Sequence, residues 1–257
     1  MKYLKYTIQD YNNAIFLRTK GFSIPKIAKK LNINDSTIWA WVNRGSRPHC
    51  ISDKNREKNV LKDDKKKLTK EVAFVLGAIY GDGNFARDNQ IKLVSIDREY
   101  VEAFKKAIEK WTGMNASKIV CYEREFKPQF NCWFSSRSVC EFLSGIDLND
   151  LISSNEDIKC AFLRSFFDSE GHVAKKYRQI CVINTNLKLI KLTKKLLSSL
   201  GIRTTPILIQ KGNGFNKKAV LFRLHLKMSP TNVRLFKEKV NFTIERKRQR
   251  LGEYYAS

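Results

Sequence analysis

Two short stretches of the chain have nearly the same pattern, and their repetition constrains the fold more than any other feature. Residues 74–83 and 162–171 are each a mostly apolar run that ends in an acid followed by glycine. Each run is about half the ~20 residues that a membrane-spanning helix needs, so we exclude a membrane span. The runs predict two helices that are buried on nearly every side.

Small residues recur four positions apart in both stretches: Gly77 and Gly81 in the first, Ser165 and Ser169 in the second. Positions i and i+4 lie on one face of a helix, so each predicted helix has a flat face. Flat faces allow two helix backbones to approach closely. We therefore expect the two helices to pack together, with Asp82 and Glu170 side by side at their C-terminal ends.

A carboxylate at a helix C-terminus faces the negative end of the helix dipole, and here it also faces a second carboxylate. Structure alone disfavours that arrangement, whereas a bound divalent cation would stabilise it. Mg²⁺ prefers carboxylates, water and phosphate oxygens, and paired acids that hold metal beside a phosphodiester can hydrolyse it. Either acid-glycine pair alone would more often be a simple turn, but the repetition favours the metal site.

The two stretches resemble the paired motifs of the LAGLIDADG homing endonucleases, over roughly residues 68–245. Matching positions are Gly77, Gly81, Asp82 and Gly83 in the first motif, and Ser165, Ser169, Glu170 and Gly171 in the second. Tyr80 replaces the first acid of the family name, whereas Asp168 keeps it. The resemblance implies that Asp82 and Glu170 are catalytic metal ligands, with Gly81 and Ser169 in the same metal site. It implies two or three divalent ions, most simply Mg²⁺, shared between the two acids.

After each acid-glycine end the sequence predicts a hairpin, a helix, two further strands and a closing helix. The predicted fold is α+β, a pseudo-symmetric tandem αββαββα repeat (the fold that the resemblance implies) preceded by a small all-α helix-turn-helix domain. The predicted domains are a helix-turn-helix at 1–46, a basic linker at 47–67, a first half at 68–150, and a second half with a basic C-terminal tail at 151–257. Ser153-x-x-Glu156 predicts a capping box before the second motif helix.

The first 46 residues predict three short helices with turns near Gly21 and Asn32. On the third helix, Ile38 and Trp41 are expected to face inward. The remaining side chains are left to face a DNA major groove: Ser36, Thr37, Trp39, Asn43 and Arg44. A helical hairpin used for protein contact is the alternative.

The chain carries 49 Lys and Arg against 25 Asp and Glu, a net charge of +24, which favours a polyanionic partner. Period-two alternation in the predicted strands places basic and polar side chains on one face of each sheet. The predicted DNA-binding residues of these sheets are Arg87, Lys92, Arg124, Lys175, Lys176, Arg178, Arg223 and His225. A solvated sheet face is the alternative, and the surplus of cations favours groove binding.

The family resemblance also implies a basic residue late in the fourth strand of each half, close to the metals. Lys227 occupies that place in the second half and is the predicted third catalytic residue. Arg137 is the weaker counterpart in the first half. A simple phosphate contact is the alternative role for Lys227.

We expect a monomeric, site-specific endonuclease that hydrolyses one phosphodiester on each strand of a double-stranded DNA target. The two halves differ, so the target is expected to be long and asymmetric. Two alternatives on the same fold stay open, a catalytically inactive DNA-binding transcription regulator and an intron RNA maturase, with RNA the less favoured partner.

The first residues lack the apolar segment of a signal peptide, and the six cysteines show no metal-type spacing. We therefore expect a cytoplasmic, nucleoid-associated protein. An organelle of a eukaryote stays open as an alternative location.

Overall fold

The computed structural model describes residues 6–46, 59–86, 89–124, 127–174, 179–211 and 219–253. The chain divides into two compact units, Met1–Val60 and Leu61–Ser257. Among the described residues, no helix combines the length and the apolar character that a membrane span requires.

Three helices form the first unit: α1 (Ile8–Thr19), α2 (Ile24–Leu31) and α3 (Asp35–Asn43). Thr7 caps α1 in a capping box with Asp10. Asn32 ends α2 in the left-handed conformation with φ of 55°, which turns the chain toward α3. Ile38 and Trp41 are buried, as the sequence predicted, so the small core of this unit lies on the inner face of α3.

The first half of the second unit follows the predicted order. Its elements are α4 (Lys70–Tyr80), β1 (Gly83–Phe85), β2 (Gln90–Ser95), α5 (Arg98–Thr112), β3 (Val120–Tyr122), β4 (Gln129–Ser135) and α6 (Arg137–Gly145). The second half begins with a short helix that the sequence did not predict. Its elements are α7 (Asp150–Ser153), α8 (Glu156–Glu170), β5 (Gly171–Ala174), β6 (Gln179–Asn184), α9 (Leu187–Ser199), β7 (Leu208–Lys211), β8 (Val220–His225), α10 (Pro230–Lys239) and α11 (Glu245–Glu253).

Each half contains a four-stranded antiparallel sheet, with strand orders β1-β2-β4-β3 and β5-β6-β8-β7. In β2 the side chains alternate, so that Ile91 and Leu93 are buried while Lys92 and Val94 are partly exposed. The buried faces join one continuous core with the helices. The two matching sheets confirm the predicted α+β fold with its tandem repeat.

The motif helices α4 and α8 pack against each other through their small residues. A Cβ atom added to Gly77 would lie 2.5 Å from the carbonyl oxygen of Phe162, and one added to Gly81 would lie 2.2 Å from Ser169 Cβ. Real side chains do not approach this closely, so glycine at both positions is required by the helix contact. The structure therefore confirms the close packing expected from the repeated small residues.

Part of the predicted linker belongs to the first half instead. Leu61 is buried in the main core, and its N–H donates to Ser138 Oγ at 2.7 Å. Trp111 Nε1 donates to the carbonyl oxygen of Lys65 at 2.9 Å. The predicted linker at 47–67 is thus too long at its C-terminal end, because one buried apolar residue and two hydrogen bonds attach residues 61–67 to the domain. Residues 47–58 of the predicted linker lie outside the described part.

The predicted capping box at Ser153 was wrong. Ser153 ends α7, and the N-cap of α8 is Asn155, whose side chain accepts from the N–H of Ile158 at 3.0 Å. The predicted basic tail is the packed helix α11, with Leu251 fully buried.

Candidate active site

The two motif helices end beside each other, and an acid stands at each end. Gly81 is the C-cap of α4 and directly precedes Asp82, while Ser169 directly precedes Glu170, the last residue of α8. Because Gly81 and Ser169 are in close contact, the two acids leave the helix pair at neighbouring points. The structure thus brings Asp82 and Glu170 together from distant parts of the chain.

Burial and neighbouring carboxylates raise the pKa of both acids. Burial raises the pKa of Glu170, and the Asp82 carboxylate raises it further, to about 7, against a hydrogen bond from Asn184 and the charge of Lys247. Burial also raises the pKa of Asp82, Lys247 opposes this, and Asp97 adds to it. A bound cation would favour the ionised form of both carboxylates.

The donor chemistry of the acid pair fits a hard divalent cation. Mg²⁺ is commonly held by one or two carboxylates, with water and phosphate oxygens as its other ligands. Within the described residues, no group of three or more His, Cys, Asp or Glu side chains is placed to hold a metal, so the protein offers a pair rather than a closed cage. The hydroxyl of Ser169 is hydrogen-bonded to Tyr100 at 2.6 Å and Gly81 has no side chain, which leaves main-chain oxygens as their available donors.

A mostly polar cavity of about 290 Å³ opens beside Asp82. It lies at the end of the first sheet, where β2 finishes and β4 begins. Its polar lining includes Asp82, Ser95, Asp97, Gln129, Arg246 and Lys247. Two of these residues come from α11, so the C-terminal helix forms one wall of the cavity.

Lys247 lies next to the acids, and sequence reasoning missed it. Its ammonium donates to the carbonyl oxygens of Phe167 at 3.1 Å, Asp168 at 2.5 Å and Gly171 at 2.7 Å. A cation at the C-terminal end of α8 also interacts favourably with the helix dipole. Burial lowers the pKa of Lys247 to about 8, against the attraction of Asp168.

Asp168 fixes the start of α11. Its carboxylate accepts from the N–H of Thr243 at 3.0 Å and from the N–H of Ile244 at 3.1 Å. Burial raises its pKa to about 6, and these hydrogen bonds oppose the rise. Asp168 therefore binds the backbone of the C-terminal segment, while Glu170 is the acid that meets Asp82.

The helix α11 also reaches the first half. Arg246 Nε and Nη2 donate to the two carboxylate oxygens of Asp97, both at 2.6 Å. The N–H of Glu245 donates to Glu99 Oε1 at 3.0 Å. A signal for this helix was present in the sequence, because Ile244 and Leu251 are seven positions apart on one helical face with Lys247 between them.

Lys227 does not lie at the acids, so its predicted position is wrong. The strand β8 ends at His225, and Lys227 is exposed beyond it, with its N–H donating to Arg203 O at 2.9 Å. Gly171, next to Glu170, pairs with Val182, and Val182 pairs with Leu224. Lys227 is thus two strands away and three residues further along, about 10 Å in each direction. The register places the end of β8 away from the acids.

Arg137 is also far from the acid end of its sheet. It begins α6, two residues after Ser135, and Ser135 pairs with Gln90 at the opposite end of β2 from the acids. Its guanidinium is 2.7 Å from Glu141, one turn along the same helix. The basic residues near the acids come from α11 instead.

The predicted DNA-binding residues of the sheets are only partly described. Arg87, Lys175, Lys176 and Arg178 lie outside the described residues. Lys92, Arg223 and His225 lie on strands and are partly exposed, whereas Arg124 is exposed after the end of β3. The Nε of Arg223 and the Nδ1 of His225 are buried with no hydrogen-bond partner in the described part of the chain.

The predicted outer face of α3 is exposed in the first unit. Ser36, Asn43 and Arg44 are exposed and Thr37 is partly exposed. Trp39 is 43% exposed, and the Arg44 guanidinium lies 4.9 Å from the centre of its ring. This face therefore presents an aromatic side chain and a stacked cation to solvent.

The chain matches two protein-family models and an uncharacterized relative. Residues 157–241 match a family model described as LAGLIDADG-like domain, and residues 11–50 match one described as putative ATPase subunit of terminase (gpP-like). The chain is 29% identical to an uncharacterized protein of Methanocaldococcus jannaschii, MJ0398, over 94% of this chain and 91% of that one.

Solved structures show the same fold at low sequence identity. The homing endonuclease I-DmoI in complex with DNA and Ca is 15% identical with a TM-score of 0.51, covering 72% of this chain and 97% of that one. Full-length DUF199/WhiA from Thermotoga maritima is 16% identical with a TM-score of 0.52, covering 80% of this chain and 65% of that one. The chain therefore carries a LAGLIDADG-like domain and has the LAGLIDADG fold, as its paired motifs predicted.

Proposed function

We propose that this protein is a site-specific endonuclease that cuts both strands of duplex DNA, with a divalent metal such as Mg²⁺. The observation that carries the proposal is the meeting of Asp82 and Glu170 at the ends of the packed motif helices, with the pKa of Glu170 raised to about 7. A pair of acids that resist joint ionisation is suited to hold a cation, and a cation beside a phosphodiester assists its hydrolysis.

Each part of the proposed site has its own task. Asp82 and Glu170 would hold the metal, which when bound activates water and neutralises phosphate charge. Lys247 fixes the turn that carries Glu170, because its ammonium binds the carbonyls on both sides of that residue. Tyr100 fixes the helix pair from the first half through its hydrogen bonds to the main-chain oxygen of Ser165 and the hydroxyl of Ser169.

The basic sheet faces would hold the duplex. The net charge of +24 favours a polyanion, and phosphate contacts supply most of the affinity of such proteins for DNA. Arg223 and His225 add buried nitrogens without partners on the second sheet. The exposed face of α3 would add contacts outside the cleaved site, so that one monomer reads a long asymmetric target.

The relatives support this proposal at the level of the fold. I-DmoI, a homing endonuclease, was crystallised with DNA and Ca. The fold similarity to DUF199/WhiA and the separate N-terminal unit motivate a second candidate, a DNA-binding regulator without cleavage. A regulator of that kind does not require two acids at neighbouring helix ends, so we favour the nuclease.

The test is cleavage of a randomised duplex library in Mg²⁺, with sequencing of the cut ends. We expect cuts in both strands at one family of related sites, and loss of cutting in Asp82→Asn and Glu170→Gln. Asp64→Asn, an exposed acid outside the site, is the matched control and should cut normally. Specific, salt-sensitive binding without a cut in any metal would overturn the nuclease and favour the regulator.

A further inference from the structure

We propose that Arg246, on the C-terminal helix α11, contacts the DNA phosphate on the Asp82 side of the site. This inference rests on the proposed function. It assigns a role at the acids to a residue that lies outside the repeated αββαββα unit. The helix α11 would then complete the site as well as close the fold.

The contact with Asp97 sets the orientation of Arg246. Its Nε and Nη2 donate to the two oxygens of one carboxylate, both at 2.6 Å. A guanidinium is planar, so two parallel bonds fix the plane and direction of the group. The two hydrogen bonds occupy the Nε–Nη2 edge of the guanidinium and do not use Nη1. The edge that carries Nη1 is therefore held in a fixed orientation, and an oriented arginine edge matches a phosphate.

The exposure of the two partners shows which one is available to a ligand. The Asp97 side chain is 9% exposed, whereas the Arg246 side chain is 45% exposed. Arg246 and Asp82 line the same polar cavity. A phosphate that enters this cavity would meet an acid that can hold metal and a cation that is already oriented.

The other cation of the cavity is not available in the same way. Lys247 is 5% exposed, and its ammonium already donates to three carbonyl oxygens. The two residues expected from sequence, Lys227 and Arg137, lie at the far ends of their sheets. Among the described residues that line the cavity, Arg246 is therefore the basic one with hydrogen-bond donors to offer.

We expect the phosphate contact of Arg246 to affect the cutting of one DNA strand more than the other. Asp97 is the N-cap of α5, and the corresponding N-cap of α9 in the second half is Asn186, whose single side-chain oxygen cannot hold an arginine through two oxygens. A general loss of stability would slow cutting of both strands equally. Loss of a phosphate contact on the Asp82 side should slow one strand more than the other.

The first measurement is the salt dependence of binding to a 30-base-pair duplex of mixed sequence in Ca²⁺. We expect Arg246→Gln to lower the slope of log affinity against log salt by about 1. Arg234→Gln is the matched control, because this exposed arginine also faces a carboxylate but does not line the cavity. An unchanged slope in Arg246→Gln would overturn the contact, whether or not the wild type cuts DNA.

The second measurement is strand-resolved cutting of a plasmid that carries a site recovered from the library. We expect nicked circles to accumulate with Arg246→Gln and with Asp97→Asn, which keeps the arginine but releases it. If Arg246→Gln does not fold, Arg246→Lys keeps the charge and should still give nicked circles. Equal slowing of both strands would overturn the assignment. A wild type that cuts nothing would refute the nuclease, and the salt slope would then decide the contact by itself.

Discussion

The two halves of the repeat differ most where their motif helices end. Asp168 in the second half is buried and accepts hydrogen bonds from the N–H groups of Thr243 and Ile244. Tyr80 takes the same motif position in the first half and is only partly buried. The first half continues into the next repeat, whereas the second half is followed by α11, which returns to the acids. The motif position therefore carries an acid in the second half, where the acid binds the segment that leads into α11.

The positive charge near the acids is equally one-sided. Lys247 and Arg246 both belong to α11, and they bind the end of α8 and the start of α5 respectively. The first half has no such extension of its own among the described residues, since α6 leads directly into α7. A site with two similar acids thus has unlike surroundings on its two sides, as the proposed asymmetric target would require.

The strongest test of the comparison is to remove each acid in turn. We expect Asp82→Asn and Glu170→Gln each to lower cutting by on the order of 10²–10⁴-fold, because each change removes a ligand of a metal that contributes several kcal/mol of charge stabilisation. If ions are shared between the acids, either change should slow both strands, measured as nicked and linear plasmid. A change that slowed a single strand would show that the two halves work independently.

A second test concerns the small residues of the helix pair. Gly77→Ala should destabilise the fold by about 1–3 kcal/mol, because its Cβ would lie 2.5 Å from a main-chain oxygen that cannot move freely. Ser165→Ala, at the corresponding position of the second helix, removes a 3.2 Å hydroxyl contact with Tyr100 and should cost less. Urea unfolding measures both. Equal losses would mean that the two helices are equivalent in the contact.

The third test exchanges the residues that differ between the motifs. Asp168→Ala should lower stability by about 1–2 kcal/mol, as expected for a lost helix cap, because the N–H groups of Thr243 and Ile244 lose their acceptor, and Tm should fall by about 2–4 °C for each kcal/mol. Tyr80→Phe should leave Tm nearly unchanged. Hydrogen exchange should locate the Asp168→Ala effect at residues 243–251. An effect of similar size from Tyr80→Phe would contradict the comparison.

The smallest expected effect is the pH dependence of Glu170. Its folded pKa of about 7 lies above its ordinary value of 4.5, so metal-free wild type should lose stability as pH rises through this window and level off above it. The glutamine of Glu170→Gln does not titrate, so the Tm of the variant minus the Tm of wild type should increase from pH 4.5 to pH 7. The expected increase is about 2–4 °C after allowance for solvent screening. Mn²⁺ should reduce the difference. A constant difference would show that Glu170 is not perturbed.

The repeat explains why so much of the fold was predictable. Two copies of one pattern predicted the order of helices and strands and the position of Asp82 and Glu170 at neighbouring helix ends, whereas the metal-ligand role of these acids was what the family resemblance implied. Edge strands were less well bounded: β7 was expected from 205 and begins at Leu208, because an edge strand has a partner on one side only.

The remaining site residues depended on contacts that local sequence does not encode. Lys247 binds main-chain carbonyls of a distant helix end, so no side-chain pattern indicates its partners. Lys227 was misplaced because its distance from Glu170 is set by the register of β6 and β8, which a single strand cannot reveal. The bond between Arg246 and Asp97 joins the end of the chain to the other half.

That bond limits how the two halves can be recombined. A hybrid chain that took residues 151–257 from this protein and its other half from a relative would keep the arginine but could lose its carboxylate. Such a hybrid should retain the guanidinium fork only if the donor half supplies an acid at position 97. Designers who exchange halves to alter target choice should therefore move Asp97 together with the C-terminal helix.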